Sequence, residues 1–429
     1  MRLRLKDMIR ALRSEAFFAG TMMAASMLSF VKAMALAWLL TPSALGFYLT
    51  GISYGFALSM IMTFGEVERT YTLYPSYVAR AGTASIFGDA ISVAKQLVKR
   101  FAVLTVSGVL LAPLLGLEWL TRMTVLTIGV MGLAILLLSL LASVARAIDA
   151  SKLLPNLNFL RGSTALVAAL AAYSAGANWV GILAIEGTAL LVLSATISWY
   201  LKMRYGTVGA ADLARPQERS ASRGRRIWVA AMITAAIPYG GRAAVLALSG
   251  AATAGAFGLL MLIVQAGQMV AAALSQKLAP ALVRQEINTG EARSLWETFA
   301  PPVAVLWIMA LGVFVICAAS FAVPAGKAFW GKYGIGLPLL GLVSLQIVVS
   351  IYLMLHFALM AKAQEIELLR AGILSVVVFY AGIWLTNKTD MGLLGYVLAG
   401  FCADFLHTGY LLWRYFGLVR APASSREKP

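Results

Sequence analysis

The sequence predicts an all-α integral membrane protein with twelve transmembrane helices, arranged as two six-helix lobes related by a parallel pseudo-two-fold axis. Its 429 residues are 61% hydrophobic and only 12% charged, whereas a soluble domain carries about twice that charged share. The apolar runs approach the ~20 residues that a helix needs to cross a bilayer. The cations fall almost entirely between these runs, which favours many short loops over a few soluble domains.

The apolar runs give twelve predicted spans. Only helices and closed barrels satisfy their backbone hydrogen bonds in lipid, and barrel strands would be shorter and would alternate, so every run is expected to be a helix. The first run follows a basic N-terminus, as in a signal peptide, but it is too long and too charged for one, so it is expected to stay as the first span. The predicted spans are 16–40, 45–65, 99–116, 123–145, 157–174, 178–201, 227–249, 254–276, 297–323, 334–360, 366–386 and 391–416.

Loop charge predicts the orientation. Of the 35 lysines and arginines, 29 lie on the face that holds the N-terminus. The other face holds four, Arg122, Lys327, Lys332 and Lys388. Because cytoplasmic loops carry the excess of Lys and Arg, both termini are expected in the cytoplasm. Cations spread over one membrane face do not indicate nucleic acid, and no nucleic-acid partner is expected.

The longest polar stretch, 204–226, divides the chain into lobes at 1–203 and 227–429 and is expected to be a basic cytoplasmic linker. The two halves carry similar residues at matching positions. Lys32 precedes a Gly-Phe-Tyr that opens the second span, and Arg242 precedes a Gly-Ala-Phe that opens the eighth. Since both halves start inside, the repeat is parallel, about an axis along the membrane normal.

Lys32 and Arg242 are the two cations inside predicted spans, each on the first helix of its lobe. The helical rise places them roughly 12 Å and 10 Å from the outer ends of their helices. A Lys or Arg within the bilayer costs roughly 2.5–3.5 kcal/mol on insertion scales, so it needs a partner or a wet cavity. Pro238 and the glycines that follow it favour a cavity, as in broken transporter helices. The alternative is snorkelling of the long side chain to the outer interface, or a structural ion pair.

The acids inside spans are Glu186 and Asp404. Glu186 lies near the depth of the two cations and is a candidate counter-ion. Asp404 precedes His407 by three residues, so the two share a helix face. They are candidates for a proton relay, since histidine titrates near neutrality, and equally for a buried structural pair. His356 is expected near the cytoplasmic end of the tenth span.

Four neutral polar residues complete the candidate site. Gln265 and Gln268 are three residues apart in the eighth span and could be interhelical contacts or ligand contacts. Ser29 shares a helix face with Lys32, and Thr234 shares one with Arg242.

No stretch of the sequence matches an enzymatic motif together with the surroundings that the motif requires. The stretch 326–333 has the spacing of a phosphate-binding loop, but it lacks the Ser or Thr, follows no strand and lies in an outer loop. Neither a CxxC nor an HExxH occurs, so no metal site is indicated. The protein is expected not to be an enzyme and to need no metal or cofactor.

Three stretches carry a resemblance to a known family. Residues 39–71, LLTPSALGFYLTGISYGFALSMIMTFGEVERTY, resemble the first helix pair of bacterial polysaccharide exporters of the O-antigen flippase type. Residues 274–299 resemble the segment after that family's eighth helix, and residues 391–412 its last helix. These exporters belong to the multidrug/oligosaccharidyl-lipid/polysaccharide (MOP) exporter superfamily, and the similarity extends over all twelve predicted helices.

The resemblance implies two six-helix lobes around a cavity that opens alternately to each side. It implies a location in the bacterial cytoplasmic (inner) membrane. It also implies transport of an undecaprenyl-pyrophosphate-linked oligosaccharide to the periplasmic leaflet, with Lys32 and Arg242 as the cavity cations. Lipid-linked oligosaccharide and membrane lipid are then the expected partners, together with the polysaccharide polymerase and chain-length proteins.

Three other functions stay open. The first is a cation-coupled multidrug antiporter of the same superfamily, which Glu186 and Asp404 would suit. The second is a membrane glycosyl enzyme, although the longest outer loop, 324–333, is short for catalysis. The third is a non-transporting scaffold of polysaccharide assembly.

Overall fold

The computed structural model of this chain is helical throughout the part that it describes. That part comprises residues 21, 24–25, 27–70, 73–74, 84–115, 121–149, 152–205, 225, 228–233, 235–289, 295–361 and 364–420, and no strand occurs in it. The all-α prediction is therefore confirmed.

The described residues before the predicted linker include six helices of ten or more residues. They are α1 (Met27–Leu39), α2 (Pro42–Thr63), α3 (Ala84–Leu111), α4 (Arg122–Asp149), α5 (Leu153–Ser174) and α6 (Trp179–Tyr205). A 3₁₀ turn, Ala112–Leu115, extends α3.

Seven helices follow the predicted linker, after a π-helical turn at Ala236–Gly240. They are α7 (Gly241–Thr289), α8 (Leu295–Ser320), α9 (Pro324–Lys332), α10 (Leu337–Val349), α11 (Tyr352–Ala361), α12 (Glu365–Thr389) and α13 (Gly392–Arg420).

Every predicted span overlaps a helix. By length and composition, 7 helices in the part described could cross a membrane, one of them running across two predicted spans from Trp228 to Ala272. Two boundaries differ from the sequence expectation. The third span begins earlier, at Ala84, and the outer loop 324–333 contains the short helix α9. The chain is a multi-pass membrane protein; which terminus faces the cytoplasm stays a prediction.

The predicted loop between spans seven and eight is a sharp break inside α7. Gly250 has φ 81° and ψ 175°, a conformation essentially restricted to glycine. The chain therefore passes from one predicted span to the next through a single residue.

The tenth span is also interrupted, between α10 and α11. The hydroxyl of Thr408 on α13 donates to the carbonyl of Val349, 2.8 Å away, at the end of α10. A backbone carbonyl freed by a break at membrane depth needs such a partner, because lipid offers none. The interruption lies beside the polar residues of the C-terminal half.

The chain divides into two compact units, Met1–Ala235 and Ala236–Pro429. In the first unit, small residues let helices approach closely, as in membrane helix packing generally. A Cβ on Gly132 would come within 2.9 Å of the carbonyl oxygen of Gly55, so α2 and α4 meet backbone to backbone there. The linker predicted at 204–226 lies almost wholly outside the described residues, and the lobe boundaries stay a prediction.

Candidate functional site

In the first unit, one buried carboxyl group holds a lysine and a tyrosine. Nζ of Lys32 lies 2.5 Å from Oε1 of Glu186, and the hydroxyl of Tyr48 donates to Oε2 of the same carboxylate at 2.5 Å. The Glu186 side chain is 3% exposed and that of Lys32 is 12% exposed. Nζ also lies 5.8 Å from the centre of the Tyr48 ring, a cation–π distance. We call these three residues the N-terminal cluster.

Three different helices supply the N-terminal cluster. Lys32 lies in the middle of α1 and Glu186 lies two turns into α6. Tyr48 lies in the second turn of α2, whose start is fixed by the Thr41 side chain, which accepts from the N–H of Ala44 at 3.2 Å, and by Pro42 in the first turn. Proline and an N-cap threonine both favour a helix start at this position. The start of α2 thus sets the place of the phenol.

The N-terminal cluster neutralises its own charge. A lysine inside a membrane helix is tolerated when it has a partner, and here the partner is a carboxylate with a hydrogen bond on each oxygen. The structure therefore brings Glu186 to Lys32, where the sequence offered it as a counter-ion to either cation. Snorkelling does not describe Lys32 in this arrangement, since its ammonium is held at an internal acid.

In the second unit, Arg242 is 3% exposed and lies in the first turn of α7. Its Nη2 donates to Oε1 of Gln265 at 3.3 Å, so of the two candidate glutamines Gln265 is a hydrogen-bond partner of the guanidinium. An amide oxygen satisfies an N–H group but supplies no negative charge. Arg242 and Lys32, matched in the sequence, therefore have chemically different partners.

The π-helical turn before Arg242 is held by Tyr380. Its hydroxyl donates to the carbonyl of Ala236 at 2.9 Å, and its oxygen lies where a side chain on Gly240 would project. Pro238 removes a backbone donor inside this turn, and a π-helical turn is a common outcome at such sites. The glycine pair and the proline noted in the sequence thus lie in or next to the irregular backbone that directly precedes Arg242.

A second polar group occupies the core of the second unit. Gln346 on α10 donates to Oδ2 of Asp404 at 2.8 Å. His407 lies 2.8 Å, Nε2 to Nε2, from His356, and its Nδ1 lies 2.8 Å from the hydroxyl of Ser375. Asp404 and His407 share a stripe of α13, as predicted, but each has a different partner. His356, expected near the cytoplasmic end of the tenth span, is a partner of His407.

The remaining predicted residues lie apart from these groups. Gln268 donates to the hydroxyl of Tyr352 at 3.1 Å, which ties α7 to α11. Ser29 bonds within its own helix, to the carbonyl of Ala25 at 3.5 Å. Thr234 lies outside the described residues. In the part of the chain that the structure describes, no three His, Cys, Asp or Glu residues come together as metal ligands.

Sequence reasoning missed four residues that contact the candidate groups: Tyr48, Gln346, His356 and Ser375. Tyr48 had a signal, because it stands in the Gly-Phe-Tyr that follows Lys32 in the repeat. His356 had another, since the chain contains only two histidines. Gln346 and Ser375 are ordinary polar residues in apolar helices, and only the packing of helices reveals what they contact.

The fold and these buried charges define the class of protein, a polytopic α-helical membrane protein with charged groups inside its helical units. A scan against protein-family models finds no match, and a search of curated proteins finds none either. Solved structures do match over nearly the whole chain. An outward-facing multidrug resistance MATE family transporter of the MOP superfamily gives a TM-score of 0.67 at 13% identity, with 94% of this chain and 95% of that chain covered.

Two further structures agree. The MATE multidrug transporter DinF-BH gives a TM-score of 0.62 at 15% identity, with 97% of each chain covered. A MOP superfamily transporter from Pyrococcus furiosus, whose reverse polarity of binding pocket is said to suggest a different function, gives 0.57 at 12% identity, with 95% of this chain and 96% of that chain covered. The chain has the fold of the MOP superfamily transporters.

Proposed function

We propose that this protein is a flippase that moves a lipid-linked oligosaccharide, carried on undecaprenyl pyrophosphate, from the cytoplasmic to the periplasmic leaflet by alternating access. The transporter fold supports the transport part of this proposal. The substrate part rests on one observation: Arg242 is a buried guanidinium in a membrane helix, held by the neutral amide of Gln265. No bond chemistry is involved, so the protein is not an enzyme in this proposal.

A pyrophosphate group fits this cation. Arginine binds phosphate oxygens through two parallel N–H bonds and keeps its charge under all physiological conditions. A membrane helix retains a charged residue at a cost of several kcal/mol, and such residues mark substrate paths by default. The guanidinium of Arg242 could bind the phosphate oxygens of such an anionic substrate directly.

Lys32 is a second phosphate contact in this proposal, and in the structure it is paired with Glu186. In the structure its ammonium is satisfied by the carboxylate. A diphosphate must displace Glu186 before Lys32 can bind an anion.

Substrate charge, and not the fold, separates this proposal from its rival. The fold is shared by proteins of different function, so the site has to decide. The description of the Pyrococcus furiosus transporter supports this view, because reversed pocket polarity within the superfamily is there linked to a different function. A cation-coupled multidrug antiporter is the second candidate. Buried Glu186 and Asp404 favour it, since acids attract cationic substrates and coupling ions.

The deciding experiment compares Arg242→Gln and Arg242→Lys with Lys327→Gln, which removes an exposed cation from the outer loop. Cells lacking the natural gene are complemented with each variant, and membrane levels are measured alongside. We expect Arg242→Gln to insert normally, to accumulate lipid-linked oligosaccharide on the cytoplasmic side and to lose surface polysaccharide. Arg242→Lys should retain part of the export, and Lys327→Gln all of it.

Normal export by Arg242→Gln at normal membrane levels would overturn the proposal. Resistance to cationic drugs that requires Glu186, with surface polysaccharide unchanged, would establish the antiporter instead. Under the flippase proposal, the polymerase and chain-length proteins of polysaccharide assembly are the partners to test by cross-linking.

A further inference from the structure

The two histidines of the chain meet inside the second unit. His356 lies on α11 and His407 on α13, 51 residues apart in sequence, with their Nε2 atoms 2.8 Å apart. Their ring centres are 5.0 Å apart, and the Tyr352 ring lies 4.9 Å from that of His407. His407 is 4% exposed, and His356 is half-buried. Two imidazoles in direct contact share a proton by necessity, because one nitrogen must donate and the other must accept.

The hydrogen-bond network assigns the tautomers. The hydroxyl of Ser375 donates its one proton to the carbonyl of Ala371 at 2.9 Å. With the Ser375 proton assigned to that bond, its oxygen, 2.8 Å from Nδ1 of His407, accepts, and His407 is assigned its proton on Nδ1. A neutral His407 then has a lone pair on Nε2. His356 must donate its Nε2–H to that lone pair, and its own Nδ1 is left with a lone pair.

One nitrogen is thus ready to take a proton. Among the residues that the structure describes, Nδ1 of His356 makes no hydrogen bond. Protonation there would break none of the existing bonds, since His356 would still donate through Nε2 and His407 would still donate to Ser375. A proton on His407 would instead have to displace the bond from His356.

We propose that the His356–His407 pair is a binding site for a single proton, taken up at Nδ1 of His356, and that this proton is the coupling ion of the transporter. The proton site stands on the geometry alone; its use in coupling rests on the proposed transport function. This assigns the titrating role to His356, where the sequence had suggested His407 with Asp404.

Acidic and phenolic side chains lie along the helix that carries His407. Asp404, His407 and Tyr410 follow one another at intervals of three along α13, so they form one stripe on one helix face. The carboxylate of Asp404 lies about one turn from the imidazole pair on that stripe. The titratable or charged residues on the helices around the pair include Tyr352 on α11, Asp404, Tyr410 and Arg414 on α13, Glu367 and Arg370 on α12, and Arg242 on α7.

The same stripe continues to a charged group at the start of α12. The hydroxyl of Tyr410 donates to Oε2 of Glu367 at 2.6 Å, and Arg414 donates to Oε1 at 2.7 Å. Arg370, with a side chain 59% exposed, also donates to Oε1. The stripe therefore runs, over about ten residues or roughly 15 Å of helix, from Asp404 past the imidazole pair to the group around Glu367.

Histidine-selective ¹⁵N labelling tests the site directly, because the full chain contains only two imidazoles. The intact protein in lipid nanodiscs is titrated between about pH 9 and pH 4, around the range in which histidines change charge. We expect one ring to take up a proton, seen as convergence of its two nitrogen shifts, while the other keeps its Nδ1–H throughout. A coupling across the Nε2–H···Nε2 bond should link the rings.

Three variants complete the test. His356→Gln should abolish proton uptake and leave His407 as a neutral Nδ1–H ring, which assigns the signals. Ser375→Ala should preserve the uptake of one proton and loosen the fixed tautomer of His407. His407→Gln should leave His356 as the titrating ring. Failure of both wild-type rings to titrate, or uptake by His407 in place of His356, overturns the proposal, and the unmodified protein gives that answer even where a variant fails to fold.

The coupling role has its own readout. His356→Gln should insert normally and accumulate lipid-linked oligosaccharide on the cytoplasmic side. The control Lys388→Gln, which removes an exposed cation at the end of α12, should insert normally and show no such accumulation. Normal export by His356→Gln overturns the coupling role. No substrate is needed in the titration, so a failed export test of Arg242 would remove the flippase function and leave the proton site standing.

Discussion

Lys32 and Glu186 form an ion pair between α1 and α6, 154 residues apart in the chain, with 2.5 Å between Nζ and Oε1. Both side chains are largely buried, and the Tyr48 hydroxyl binds the other carboxylate oxygen. A lysine that the sequence presents as an anomaly in an apolar helix is thus one half of a neutral pair.

Removal of either charge from this pair should be costly, because the other charge stays buried. We expect Lys32→Met alone and Glu186→Gln alone to lower the free energy of unfolding by about 3–5 kcal/mol each. The double variant, which leaves no charge and keeps an acceptor for Tyr48, should recover most of that loss. Thermal unfolding in detergent measures all three. Additive losses in the double variant would show that the two residues do not interact.

The phenol of Tyr48 should contribute separately from the charges. Tyr48→Phe keeps the ring and removes the donor to Oε2 of Glu186. Leaving one buried carboxylate oxygen without its hydrogen bond should cost about 1–3 kcal/mol. The matched control is Tyr200→Phe, on an exposed stretch of α6, which should change stability little. Equal unfolding temperatures for Tyr48→Phe and the wild type would contradict this role.

The close approach of α2 and α4 should depend on Gly132. A Cβ there would lie 2.9 Å from the carbonyl oxygen of Gly55 and 2.6 Å from Cζ of Phe101. Gly132→Ala should therefore cost about 1–3 kcal/mol through overpacking. Gly88→Ala is the control, because nothing lies within 4 Å of its Cβ and an alanine in a helix should add about 0.5–1 kcal/mol. In thermal unfolding, Gly132→Ala should lower the unfolding temperature and Gly88→Ala should raise it.

Glu68 should make stability depend on pH. It lies beyond the end of α2 and is 8% exposed; burial raises the pKa of its carboxyl, against the lowering effect of a backbone hydrogen bond and of the Thr63 hydroxyl at 3.3 Å. With a folded pKa above the unfolded value, the folded state binds more protons between the two, so stability falls as pH rises through that window.

The window opens at the ordinary value of 4.5 and extends upward. Glu68→Gln should flatten this fall and raise stability at neutral pH. Glu66→Gln, whose carboxylate pairs with Arg69 at 3.4 Å and is 30% exposed, is the comparison and should show no such gain. Unfolding temperatures between about pH 4 and pH 8 decide the matter, and parallel curves for wild type and Glu68→Gln would refute it.

The sequence by itself determined the class, the elements and the unusual residues. Apolar runs of membrane length force helices because lipid cannot satisfy a bare backbone, so every predicted span meets a helix. It also singled out Lys32, Arg242, Glu186 and Asp404, since a charge inside an apolar run is costly wherever the run folds. The break at Gly250 falls in the short interval between the predicted seventh and eighth spans.

Tertiary structure alone decided which residues meet. Glu186 is distant from Lys32 in the chain, and helical periodicity gives the face of a residue without the helix that it faces. The same limit applied to His407, whose face with Asp404 was predicted, whereas its partners His356 and Ser375 come from two other helices. Partner choice is set by the packing of whole helices, and in lipid that packing depends on small residues and shape, which leave little signal in a single sequence.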